Sequence, residues 1–222
     1  MKKDNYCELL DNTLMYYNAS LNVANKFGGP SIYFHQKALE WQQKDFLGER
    51  HLEYVYAMLA SWGMHRMGKT GAKMPNYNDF KESILSVRKE LVSWKDLSIE
   101  KIDKNAFDEL LPHLQDVCFR INASKCDTKL VSSSKTLAHI LPNLVCPMDR
   151  EYTLTFFYGE KNLTKTKELK AFNDIMQKMW DFYHEPKTSI IKCEKNKAFC
   201  ESLPKIFDNM IIAYKIENNN QK

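Results

Sequence analysis

Residues 129–159 read KLVSSSKTLAHILPNLVCPMDREYTLTFFYG, and the reading of this stretch governs the rest of the chain. A run of small polar residues, Ser132-Ser133-Ser134, leads through Lys135 into a helix that opens at Thr136 and buries Leu137, Ile140 and Leu141. Such a turn offers unpaired backbone N–H groups, hydroxyls and a lysine at a helix N-terminus, which together make a seat for phosphate. Pro142 ends the short helix. Pro147-Met148-Asp149 then forms a stiff connection that brings Asp149 to the cap of a further helix carrying Tyr152, Phe156 and Phe157.

Outward from this stretch the chain reads as helix after helix. Toward the N-terminus, residues 5–27 carry Leu9, Leu10, Leu14, Tyr17 and Leu21 at spacings of three and four before the stop Gly28-Gly29-Pro30. Ser31 caps a second helix that ends near Gly48, and a third runs over residues 49–62 with Leu52, Val55, Leu59 and Trp62 as its apolar stripe. Asn78 or Asp79 caps a helix that continues to about Trp94. Another spans about 105–122, where Pro112 should kink or split it. Two long helices follow, over about 164–183 and 197–214, ahead of a frayed tail. With seven Gly and seven Pro in 222 residues, confined to a few punctuation points, the pattern predicts an all-α fold.

Composition narrows the function classes. Hydrophobic residues at 44% and charged residues at 27% exclude a disordered or collagen-like chain. The N-terminal MKKDNYCELLDN lacks the apolar run of a signal peptide, and no window nears eighteen apolar residues, so the expectation is a cytoplasmic protein with no membrane partner. Six cysteines without a C-x-x-C pair give neither a zinc site nor a disulfide framework, and no metal is expected. A net charge of +4 permits a polyanionic partner without requiring one.

The order Ser-Ser-Ser-Lys-Thr-Leu-Ala at 132–138 followed by Pro-Met-Asp at 147–149 resembles the active-site core of the helix-hairpin-helix (HhH-GPD) DNA glycosylase superfamily. In that family a glycine-rich hairpin leads into a helix, often as G-x-G-x-K-T-A, and a P-x-D segment follows. The resemblance covers about thirty residues and implies a single helical domain over 1–222, with two lobes around a central cleft and the motif in a lobe at about 78–160. It implies a DNA glycosylase acting on a damaged or modified base in duplex DNA, in repair or in defence against modified viral DNA, as a monomer without a cofactor. Asp149 falls at the position of the family's essential carboxylate and Lys135 at that of the Schiff-base lysine of bifunctional members. Ser132, Ser133, Ser134 and Arg150 would contact DNA. Two departures stand out: serines replace the hairpin glycines, and the Lys135-to-Asp149 gap is shorter than the family's by about one helical turn. The shorter gap favours a monofunctional enzyme that uses water. No four-cysteine loop follows to hold an iron–sulfur cluster. The runner-up is a non-catalytic DNA-binding helical protein on the same scaffold.

Each residue also has a plainer reading. Asp149 can simply cap a helix, Lys135 can be solvated, and His139 can be a packing partner rather than part of a base pocket. The basic loop GMHRMGKTGAKMPN at 63–76 places Arg66, Lys69 and Lys73 for DNA backbone contacts, although a solvated loop is equally simple. Its GMHRMGKT matches the phosphate-loop pattern letter for letter, but the upstream periodicity is helical and Gly71 and Pro75 block a following helix, which argues against nucleotide hydrolysis. Trp41, Trp94 and Trp180 read as core, whereas Trp62, beside the basic loop, is placed to stack on an extruded base or wedge a duplex.

Overall fold

In the computed structural model, which describes residues 3–68, 71–194 and 196–220, the centre of the fold is a helix, Leu130–Ile140, whose every residue is buried. Eleven α-helices are present among the described residues: α1 (Lys3–Asp11), α2 (Thr13–Ser20), α3 (Pro30–Lys44), α4 (Glu49–Ser61), α5 (Tyr77–Leu85), α6 (Arg88–Trp94), α7 (Lys104–Arg120), α8 (Leu130–Ile140), α9 (Thr155–Tyr158), α10 (Lys165–Tyr183) and α11 (Leu203–Asn220). The fold is all-α; strand structure among these residues is a two-residue antiparallel hairpin, Met67–Gly68 against Gly71–Ala72. Helix α8 packs against α3, α4, α7 and α10, and one contiguous apolar core runs from Tyr6 to Ile211.

The motif helix begins six residues earlier than its sequence predicts. Ser132, Ser133 and Ser134 are not a hairpin turn but part of α8 itself. Their hydroxyls turn back onto the helix, Ser132 Oγ donating to the Lys129 carbonyl and Ser134 Oγ to that of Val131, so serine here serves inside a helix where a glycine would not. The helix entrance is already filled: the Glu168 carboxylate accepts from the backbone N–H groups of Lys129 at 2.8 Å and Leu130 at 3.2 Å. The Ser132–Lys135 turn expected to seat a phosphate is therefore absent, and the true helix entrance is taken by a protein carboxylate. Glu168→Ala should uncap α8 and lower stability by about 2 kcal/mol, read as a drop in urea midpoint, while Glu168→Gln, which keeps an acceptor, should cost clearly less. Equal losses in the two variants would contradict the capping role.

Other boundaries moved for local reasons. The expected helix over 5–27 breaks at Asn12 and again at Asn22, where φ reaches −111° and −110°, because asparagine side chains compete with helical hydrogen bonding. Gly29 at φ 57° followed by Pro30 starts α3, rather than a Ser31 cap. Asn76 caps α5 by accepting from the Asp79 N–H at 2.9 Å, two residues before the expected cap, and the helix stops before Val87. Pro112 lies on the exposed side of α7, where water can take the carbonyl it leaves unpaired, and the helix continues through it. Residues 196–202 turn instead of forming the start of the last helix; α11 begins at Leu203-Pro204 and continues through Tyr214 to Asn220.

Candidate active site

Asp149 ends the extended segment after Pro147 and opens a π-helical turn, Arg150–Leu154. Its Oδ1 accepts from the Glu151 N–H at 2.7 Å and the Tyr152 N–H at 3.3 Å, and its own N–H donates to Thr153 Oγ1 at 3.0 Å. The segment is pinned to α8 by the Met148 N–H, which donates to Ser134 Oγ at 3.1 Å. That registers Asp149 opposite Lys135, whose Nζ donates to Oδ2 at 3.0 Å. The lysine side chain is 8% exposed and the aspartate 29%, so the carboxylate is the partner that faces solvent. Burial pushes the Asp149 carboxyl up, but the Lys135 ammonium and the two backbone N–H groups outweigh it and hold it below the usual carboxylate range.

The pair opens onto a cavity of about 140 Å³ whose other charged walls are Lys205 and Asp208, from the first turns of α11. Phe27, Trp62, Tyr152 and Ile212 supply its apolar surface. Trp62 stands there because it caps the end of α4 and Gly63 closes the turn after it: with φ at 80°, Gly63 donates to the Ala60 carbonyl and Met64 to that of Leu59, a Schellman closure that a residue with a Cβ would strain. The indole Nε1 donates to the Ser31 carbonyl at 3.4 Å. Lys135 Nζ lies 5.3 Å and Lys205 Nζ 5.7 Å from the ring centroid, within cation–π range. Trp62 is therefore tethered as a cavity wall and is not a free wedge, since a wedge must project into solvent. Lys205, Asp208 and Tyr152 were missed in the sequence. The readable signal was a lysine and an aspartate three apart inside the otherwise apolar start of α11.

His139 does not reach this cavity, contrary to its expected place in a base pocket. It is 2% exposed and points behind α8: its Nδ1–H donates to the Lys135 carbonyl at 2.8 Å, and its Nε2 meets His35 Nδ1 at 2.8 Å. His35 Nε2 in turn lies 3.2 Å from Glu201 Oε2. The helical i, i+4 spacing that suggested a shared cleft instead lets the ring bond its own helix's carbonyl. Burial lowers the pKa of both histidines, while at Glu201 the His35 contact outweighs burial and holds the carboxyl below its usual range. His35 also stacks on Trp62, at 6.1 Å and 20° between planes, which ties the cluster to the cavity wall.

Trp62 and Asp149 also bound a second, outer hollow of about 260 Å³ that contains Arg66, Lys73, Arg150 and Ser132. Arg150 is oriented by Asn162 Oδ1 at 3.2 Å and Thr128 Oγ1 at 3.4 Å. Of the serines proposed to touch DNA, Ser133 and Ser134 are fully buried and cannot, because α8 is enclosed on all sides; Ser133 Oγ has no hydrogen-bond partner among the described residues. Lys69 and Thr70 lie outside the described residues. The phosphate-loop lookalike follows a helix and runs into the small hairpin, so it lacks the strand–loop–helix setting its chemistry needs. No helix among the described residues is long and apolar enough to cross a membrane. The chain matches no known protein family, no curated protein and no solved structure.

Proposed function

We propose that this chain is a monofunctional DNA glycosylase that hydrolyses the N-glycosidic bond of a damaged or modified base in duplex DNA. The observation that carries the reading is the 3.0 Å Lys135–Asp149 pair, set where an aromatic-walled cavity meets a hollow bearing Arg66, Lys73 and Arg150. Such chemistry needs a base drawn out of the stack, phosphates held outside, and a carboxylate at the sugar between them. As the glycosidic bond breaks, positive charge grows on the deoxyribose. A carboxylate already held ionised, with one oxygen fixed by two backbone N–H groups, stabilises that charge without reorganising. Lys135, tied to that carboxylate as an ammonium, is poorly placed to attack carbon, which favours water as the nucleophile.

The runner-up, a DNA-binding protein without catalysis, is favoured by one observation: capping the π-helical turn accounts for Asp149 with no chemistry at all. Duplexes carrying a panel of damaged and hypermodified bases separate the two. Excision is expected as abasic-site formation with no borohydride-trapped protein–DNA adduct; binding without abasic sites would select the runner-up. Binding itself should weaken steeply with salt, since phosphate contacts release counterions. Arg66→Glu and Lys73→Glu should weaken it alike across sequences and reduce the salt slope by about one contact each. Salt-independent binding, or none, would remove both readings.

A further inference from the structure

Among the cavity's charged walls, Lys205 and Asp208 have no part in the mechanism above, and packing does not call for them. Their side chains are 8% and 7% exposed, and Nζ lies 2.5 Å from Oδ2. Around them Ile206, Phe207, Met210 and Ile211 are buried apolar residues, and replacing a buried ion pair by apolar groups of similar size is often neutral or stabilising. The pair is nonetheless firmly built. The Ser202 carbonyl accepts from the Ile206 N–H at 3.0 Å, the Asn209 side chain donates to the Phe199 carbonyl at 2.6 Å, and Lys205 Nζ lies 4.8 Å from the Phe199 ring centroid.

We propose that Lys205 and Asp208 form the leaving-group side of the cavity: Lys205 gives the departing base its proton, Asp208 positions that ammonium, and the substrate is a base that is uncharged before excision. The inference rests on the glycosylase reading. Two Lys–Asp pairs share one small cavity and one indole, with Asp149 toward the outer hollow and Asp208 toward the interior. Burial raises the Asp208 carboxyl, aided by the negative Asp149 and opposed by Lys205, while Asp149 is lowered; carboxylates driven apart within one site mark separate acid and base duties.

The step balances. The C1′–N bond breaks and its electron pair leaves on the base, whose nitrogen or conjugated oxygen takes a proton from Lys205 Nζ. Water oxygen bonds C1′ and gives its proton to Asp149, and solvent returns both groups to their starting states. A neutral base needs this proton because it otherwise leaves as an anion. A base alkylated at a ring nitrogen is already cationic and needs none.

The test uses the full chain under single-turnover conditions on duplexes containing uracil, hypoxanthine, 8-oxoguanine or N7-methylguanine. The wild type is expected to excise at least one of the three neutral bases. Lys205→Met should slow that excision by about 100-fold, as expected on loss of a general acid, leave duplex affinity within a few-fold, and leave any N7-methylguanine excision unchanged. Asp208→Asn should give a smaller loss and shift the alkaline limb of the pH–rate profile. If Lys205→Met fails a melting control, Lys205→Arg keeps the ion pair but holds its proton too tightly to donate, and the same selective loss is expected. Equal loss on neutral and cationic bases, or none on either, would overturn the proposal, as would a wild type that excises N7-methylguanine alone. That last result leaves the glycosylase reading standing. A wild type that excises nothing, from these duplexes or from the hypermodified panel, overturns the reading itself.

Discussion

Asp149→Asn is expected to slow excision of the substrate base by roughly two or more orders of magnitude while duplex binding survives. The variant keeps the shape and the Oδ1 acceptor for Glu151 and Tyr152, so the π-helical turn remains capped. What it removes is the negative charge that the proposed mechanism sets against the sugar. It also strands the Lys135 ammonium, almost fully buried, without its counter-ion at 3.0 Å, and breaking a buried pair by deleting one partner destabilises by about 3–5 kcal/mol. A slow variant could therefore be a damaged one. The double variant Asp149→Asn/Lys135→Met separates the two effects: without an orphaned charge it should regain most of the stability lost by Asp149→Asn, yet stay as inactive. Recovery of activity along with stability would show that Asp149 matters for folding and not for chemistry, and undiminished excision by the single variant would defeat the mechanism outright.

The parts of this molecule that could be read from the sequence are those whose causes are local. Helices α4 and α10 stand within a residue of their expected ends because an apolar stripe and nearby Gly or Thr signals determine them. The meeting of Lys135 with Asp149 is also legible, since a proline-stiffened link returns the chain to the helix it has just left. Remote causes stayed hidden. Glu168, whose carboxylate takes the true entrance of α8, lies 38 residues from Leu130. His139 is reoriented by His35 from α3, which no spacing along its own helix announces. Lys205 and Asp208 enter the cavity from the last helix, where periodicity alone marks them as misfits in an apolar run.

These buried polar groups share a logic that bears on stability. Helix α8 is enclosed on all sides, so each of its polar side chains must find a partner or remain unsatisfied. Lys135 finds Asp149, and His139 finds its own backbone and His35. The His139 carbonyl finds a further histidine, His51 on α4. The helix that carries the candidate lysine is thus held by groups whose protonation states are prescribed by their bonds.

Acidification from pH 7.5 to 4.5 should accordingly unfold the protein at much lower denaturant, with His51 as a principal cause. His51 is fully buried; its Nδ1 accepts from the Leu47 N–H at 3.1 Å and its Nε2–H donates to the His139 carbonyl at 3.2 Å. The Leu47 bond requires the neutral ring, because a protonated Nδ1 would face the Leu47 N–H. That contact anchors a leucine at φ 59°, a left-handed conformation unusual for its side chain. Burial lowers the His51 pKa from 6.5 to about 4. Below pH 6.5 the unfolded chain binds a proton that the folded one refuses, so stability falls as pH falls, by about 1.4 kcal/mol per unit down to pH 4 and about 3 kcal/mol in all. His139, also lowered by burial, adds in the same direction, whereas Asp149, held below its ordinary range, withdraws its contribution only below about pH 4. His51→Asn can keep an acceptor toward Leu47 and cannot titrate. Its urea midpoint should lie below the wild type's at pH 7.5 and draw level with or pass it at pH 4.5, while parallel losses in the two proteins would show that His51 is not the group that takes up the proton.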